Sequence, residues 1–181
     1  MNPSTSPRIP DPHRDIVLER LVKASPSVLW RVLTESEHAK RWTTPLPWVT
    51  VECEIDLRPG GIFRTVMRSP EGQESVNRCC FLEVVNEKRL IWTNALLPAF
   101  RPAPTPGVVP FITAEFTLEP DGRGTRYVAH VMHRNEDDRQ RHIELGFHDG
   151  WATVMEQAAN VAASLELHGH GAPTHLGADR E

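Results

Sequence analysis

The residues in this chain whose types and spacing could do chemistry are mostly histidines. Glu144 and His148 stand four apart, so on a helix they share one face. Two ligands at that spacing could begin a metal site, but a structural zinc needs more. His142, six positions before His148, points elsewhere on a helix, and the sequence names no third ligand. An exposed ion pair or a satisfied hydrogen bond is the plainer role for Glu144 and His148, and no metal is expected. A single histidine in a cavity wall has another use, as hydrogen-bond partner or general base. His148 is the helical candidate for that role. On the strand before it, if Tyr127, Ala129 and Val131 face inward, so does His133, while His130 faces out. The competing reading of His133 is a strand end near solvent. His168, His170 and His175 fall in a Gly- and His-rich tail that reads as disordered.

Around His148 lies an unusual arrangement of small and large residues, GFHDGW. Gly146 and Gly150 sit one turn apart on what reads as a single helix, at a cost of about 1 kcal/mol each relative to Ala. Missing side chains there would open space at the mouth of a pocket next to Phe147 and Trp151; close packing of helix on sheet is the alternative. Other aromatic residues have the parity to line such a pocket. Trp92 and Asn94 share a face of one strand, Phe63, Phe81 and Phe116 stand on neighbouring ones, and Trp42 and Trp48 flank a loop that would gate it. Trp30 reads as ordinary core. Arg64 alternates away from Phe63, toward the outer face and an acidic partner.

The absences narrow the chemistry. There is no GxSxG elbow, no GxGxxG after a strand, no phosphate-binding loop, no HExxH and no evident pair of catalytic carboxylates. The net charge of −4, with 20 basic residues interspersed among 24 acidic ones, gives no nucleic-acid footprint. No apolar run is long enough to span a bilayer, and the first residues lack the pattern of a secretory signal. Cys53, Cys79 and Cys80 are odd in number and lack CxxC spacing, so three reduced thiols and a cytoplasmic location are expected. No cofactor is called for, and a homodimer through an uncovered sheet face is possible in principle.

These residues need elements to hold them. Residues 1–12 read as a mobile tail, 13–166 as one domain and 167–181 as a second tail. Asp15 to Lys23 is the first strand. Ser25-Pro26 starts a helix, with serine as cap and proline in the first position. Thr34 and Glu37 resemble a capping box for a second short helix ending near Trp42. From Val49 the apolar period becomes two. Strands are expected at 49–57, 62–68, 75–85, 89–96, 111–119 and 125–133, with turns at Arg58–Gly61, Ser69–Gly72 and Glu119–Gly122. The proline-rich stretch 97–110 cannot be a central strand and reads as a stiff loop. Asn135 caps a long helix whose stripe runs through Ile143, Phe147, Trp151, Val154, Ala158, Val161 and Leu165. A sheet this long must curl, and only the last helix can cover its concave face. A hollow is expected between them.

The stretches ERLVKASPSVLWRVLTESEHAKRW, EIDLRPGGIFRTVMRSPEG, FLEVVNEKRLIWTNAL and RHIELGFHDGWATVMEQAANVA, taken in order, resemble the START-like superfamily of polyketide cyclases and lipid-transport proteins. The branch they are most similar to is named for the activator of the heat-shock-ninety ATPase. The resemblance spans roughly 15–165 and implies an α+β helix-grip fold: a curved antiparallel sheet of six to seven strands around a long C-terminal helix, two short helices after the first strand, and an internal cavity. The superfamily holds lipid carriers, cyclases, hormone receptors and chaperone activators, so the fold alone does not choose among them. The expected function is binding of a small hydrophobic or amphipathic molecule through Trp42, Trp48, Phe63, Phe81, Trp92, Asn94, Phe116, His133, Phe147, His148 and Trp151. The alternatives are a cyclase- or hydrolase-like enzyme using a cavity histidine, and an interaction module acting on a chaperone.

Overall fold

The computed structural model describes residues 9–169, with side chains to 168; of the expected tails, 1–8 and 170–181 lie outside the described residues, while 9–12 and 167–169 lie within them, and Asp11 accepts from the His13 N–H at 2.9 Å. The elements in chain order are β1 (Asp15–Val22), α1 (Pro26–Thr34), α2 (Ser36–Ala39), β2 (Val49–Ile55), β3 (Ile62–Arg68), β4 (Glu74–Val85), β5 (Arg89–Thr93), β6 (Leu96–Leu97), β7 (Arg101–Pro102), β8 (Ile112–Asp121), β9 (Gly124–His133), α3 (Glu136–Glu144) and α4 (Phe147–Gly169). Seven strands form one antiparallel sheet in the order β1-β9-β8-β5-β4-β3-β2. β1 leaves the sheet through α1 and α2 and the chain re-enters at the far edge, so the last strand, β9, closes beside the first. The small β6–β7 ribbon stands apart, joined by a 3-10 turn at Pro98–Phe100.

Alternation explains the sheet. Ile112, Ala114, Phe116 and Leu118 of β8 are all buried on one face, opposite Tyr127, Ala129 and Val131 of β9. α4 lies against this face with α1 beside it, burying Phe147, Met155, Ala158, Val161 and Ala162 against Leu29, Val32 and Leu33. The opposite face carries cross-strand charges. Arg126 of β9 reaches Glu19 of β1 at 2.6 Å and Glu119 of β8 at 2.9 Å, and Arg64 reaches Glu52 at 2.7 Å, the outward acidic partner expected of it. At the β2–β3 turn Gly61 is obligatory, because a Cβ there would run into the carbonyl oxygen of Asp56.

Several boundaries differ from the sequence expectations, each for a local reason. The single long helix after Asn135 is two. Gly146 has φ +88, the left-handed conformation that ends a helix, and its N–H donates to the Ile143 carbonyl at 2.9 Å. Gly146 and Gly150 therefore do not share a helix. α4 also runs on to Gly169, past the expected limit at 166. Ser25 precedes α1 but caps nothing; its hydroxyl and N–H both go to the Glu166 carboxylate, at 3.0 and 3.1 Å. No Thr34–Glu37 capping box forms, since the Thr34 hydroxyl donates back to the Trp30 carbonyl and Glu35 takes the cap position. β5 stops at Thr93, and β8 continues through Pro120 to Asp121, which moves the turn to Gly122-Arg123.

Cys53, Cys79 and Cys80 are free. Burial pushes the Cys79 thiol up to about 12 and the Cys53 thiol up to about 11, so neither is a ready nucleophile. No described helix is long and apolar enough to cross a membrane.

Candidate functional site

The concave face is an aromatic surface. Phe63 of β3 stacks on Phe81 of β4 at 5.7 Å, and Trp92 of β5 meets Phe63 edge-on at 5.9 Å. Phe116 of β8 meets Trp92 at 6.1 Å and Tyr127 of β9 at 5.4 Å. α4 adds Phe147 and Trp151 from above; these two rings stack at 5.2 Å, and Trp151 lies parallel to Trp92 at 6.2 Å. Alternation on the strands and the first turn of α4 bring these residues together, as read from the sequence. These rings stand in mutual contact beneath the start of α4. Two grooves lie on the outside, one beside Pro26, Asn86 and Pro120, the other beside Trp48 and Gln157.

The indole Nε1 of Trp92 and the hydroxyl of Tyr127 are buried and have no hydrogen-bond partner. A buried donor left unpaired costs about 1–3 kcal/mol. Both side chains are strongly buried, Trp92 at 7% exposure and Tyr127 at 0%. Burial alone pushes the Tyr127 phenol far above its ordinary range, so it stays a neutral donor. Trp151, in contrast, is only partly buried, and a side chain added at Gly150 next to it would meet nothing within 4 Å. The roof of the aromatic surface is thus one ring thick at its edge.

The remaining expected site residues are placed differently. Trp42 is core: its Nε1 donates to the Val32 carbonyl at 2.8 Å and its ring tilts against Phe116. Trp48 is half-buried on the outside, in the groove with Gln157. Asn94 lies past the end of β5, where its Oδ1 accepts from the Ile112 N–H at 2.7 Å and its Nδ2 donates to the Pro110 carbonyl at 3.0 Å. That amide closes the proline-rich loop onto β8. His148 is exposed and is no cavity wall, because the break at Gly146 resets the face that α4 presents. His130 does lie on the outer face, but buried, 2.8 Å from Asp15.

His133 faces inward, at 6% exposure, and it has a partner that sequence reasoning missed. Its Nε2 lies 2.9 Å from Nδ1 of His142, and its Nδ1 lies 2.9 Å from the Arg14 carbonyl. A carbonyl only accepts, so His133 carries its proton on Nδ1, and His142 donates to its Nε2. Burial lowers the basicity of both rings, that of His142 to about 4. Both are neutral near pH 7. Phe147 packs edge-on against His142 at 4.7 Å, which joins the pair to the aromatic surface. Among the described residues no three side chains are grouped to hold a metal.

Comparison with known proteins agrees with this architecture. A family described as Activator of Hsp90 ATPase homolog 1-like protein matches residues 23–163. A crystal structure from Nitrosomonas europaea is similar at 44% identity and TM-score 0.80, covering 87% of this chain and 99% of that one. Structures from Arthrobacter aurescens (18% identity, TM-score 0.73, 90% and 94% covered) and Rhodobacter sphaeroides (19%, 0.72, 87% and 97%) share the fold. No curated protein matches.

Proposed function

The chain belongs to the activator of Hsp90 ATPase homolog 1-like family, and from that premise we propose that it is a cytoplasmic binding protein for a small, flat, apolar or amphipathic molecule. The molecule lies on the aromatic concave face beneath the start of α4. One observation carries the reading: Trp92 Nε1 and Tyr127 Oη are unpaired donors in a surface otherwise made of rings. Apolar burial supplies the affinity, at about 25 cal/mol per Å². An acceptor on the bound molecule takes one of the donors and recovers the cost of burying it. Trp151 is the ring that moves to admit it, since it is partly exposed and Gly150 leaves space beside it.

The test is a matched pair of probes followed by tryptophan fluorescence and thermal unfolding. Acetylnaphthalene carries a carbonyl acceptor and ethylnaphthalene does not. Acetylnaphthalene binds more tightly to the parent protein. In Trp92→Phe or Tyr127→Phe that preference disappears; thermal stability holds or rises in Tyr127→Phe, which removes only an unpaired hydroxyl, and falls in Trp92→Phe, which also leaves a cavity. Equal binding of the two probes to all three proteins, or binding of neither, overturns the proposal.

A further inference from the structure

We propose that the groove on the outside of the domain is a second binding site, separate from the aromatic surface, and that it takes a small aromatic carboxylate. It has a volume of about 310 Å³ and lies between the loop after α2, the start of β2 and the side of α4. That is at the small end of the roughly 300–1,000 Å³ typical of ligand pockets.

Its construction is specific. The amide of Gln157 on α4 fixes the loop, with Nε2 donating to the Trp42 and Thr44 carbonyls at 3.1 and 2.8 Å and Oε1 accepting from the Leu46 N–H at 3.3 Å. The Thr50 hydroxyl ties the same loop to β2, 2.6 Å from that of Thr44 and 2.9 Å from that of Thr43. These bonds tie the loop to both α4 and β2. Its apolar wall is Leu46, Trp48 and Val49, of which Leu46 is 69% and Val49 48% exposed. Apolar side chains adjacent to one another at the surface mark a contact site more often than scattered ones do.

The other wall is cationic. Lys40 and Arg41 both line the groove. The Lys40 ammonium is 3.3 Å from Glu37, whose side chain is 86% exposed and therefore a weak competitor. Arg41 is exposed and makes no ion pair among the described residues. No carboxylate lines the groove. A groove lined by an arginine, a tryptophan and two aliphatic residues suits a planar body bearing one carboxylate: the guanidinium fork takes the carboxylate and the ring packs with Trp48, Leu46 and Val49.

Naphthoate and its neutral counterpart naphthalenemethanol are titrated into the full chain and followed by the indole N–H resonances and the Gln157 side-chain amide. Naphthoate shifts the Trp48 and Gln157 signals saturably. It binds at least fivefold more weakly to Arg41→Gln, and naphthalenemethanol binds at least fivefold more weakly to the parent. Because Arg41 is exposed, that variant leaves the fold and the Trp92 signal unchanged. Equal affinity for acid and alcohol overturns the site, as does a response confined to Trp92 and Trp151 or no saturable response at all. A negative result here leaves the acetylnaphthalene experiment standing, since that probe is neutral and reads Trp92.

Discussion

The Nδ1–H of His142 donates to Nε2 of His133 across 2.9 Å, and this bond ties α3 to the end of the last strand. It requires His133 to be unprotonated at Nε2, because its Nδ1–H is already committed to the Arg14 carbonyl. The native state depresses the basicity of both rings from the ordinary 6.5, with His142 reaching about 4. Around His133 stand Asp15 and Asp138, which favour its charged form, and Arg139, which opposes it; burial outweighs them. The unfolded chain therefore takes up protons first. The stabilisation is complete above about pH 6.5 and is lost as pH falls from there toward about 4, by on the order of 3 kcal/mol for His142.

Urea unfolding at about pH 7.5 and about pH 4.5 checks the sign, because the midpoint reports stability directly. His142→Asn keeps a donor near the Nδ1 position and removes the titration. This variant loses less stability than the parent over the acid interval. An unchanged acid limb in the variant would place the pH sensitivity elsewhere.

The two glycines that frame Phe147 respond in opposite directions to the same substitution. Gly146→Ala forces a side chain into φ +88 and costs about 1–2 kcal/mol, although the Cβ itself has open space. Gly150 is inside α4 at ordinary φ with nothing within 4 Å of a Cβ, so Gly150→Ala adds about 0.5–1 kcal/mol of stability. Thermal midpoints distinguish them. If alanine at 150 destabilises the fold, the space beside Trp151 is not open.

The Asn94 amide closes the proline-rich loop onto β8, so its loss is expected to cost stability and not affinity. Asn94→Leu strands the Ile112 N–H and the Pro110 carbonyl, at a cost of about 1–3 kcal/mol. Acetylnaphthalene affinity stays within twofold of the parent. A large loss of affinity without a loss of stability would return Asn94 to the pocket wall.

These cases also show where the sequence is readable. Phe63, Phe81, Trp92, Phe116 and Tyr127 were assignable to one face because burying one side of a sheet imposes a period of two, and a one-residue slip would expose the set. The same parity rule misplaces Asn94, since β5 ends at Thr93 and parity has no meaning past a strand end. Gly146 reads as a costly helical residue, but a glycine at a helix end is favourable, and only the backbone angle separates the two. His142 sits on a helix with almost no apolar stripe, and its partner comes from another element through a tertiary contact that no local spacing encodes.

Trp151 is the ring whose removal bears most directly on binding. It stacks on Phe147 and lies parallel to Trp92, with one side toward solvent. Full burial of a tryptophan would make Trp151→Ala cost about 3–5 kcal/mol; partial exposure lowers that to about 1–3. If Trp151 is the moving roof, its removal uncovers Trp92 without taking away the donor. Acetylnaphthalene then associates faster with the variant than with the parent in stopped-flow fluorescence and keeps its affinity advantage over ethylnaphthalene. Trp151→Phe, which restores a smaller ring, falls between. Should the variant bind neither probe, Trp151 is part of the recognition surface and not its cover, and the way in lies elsewhere along α4.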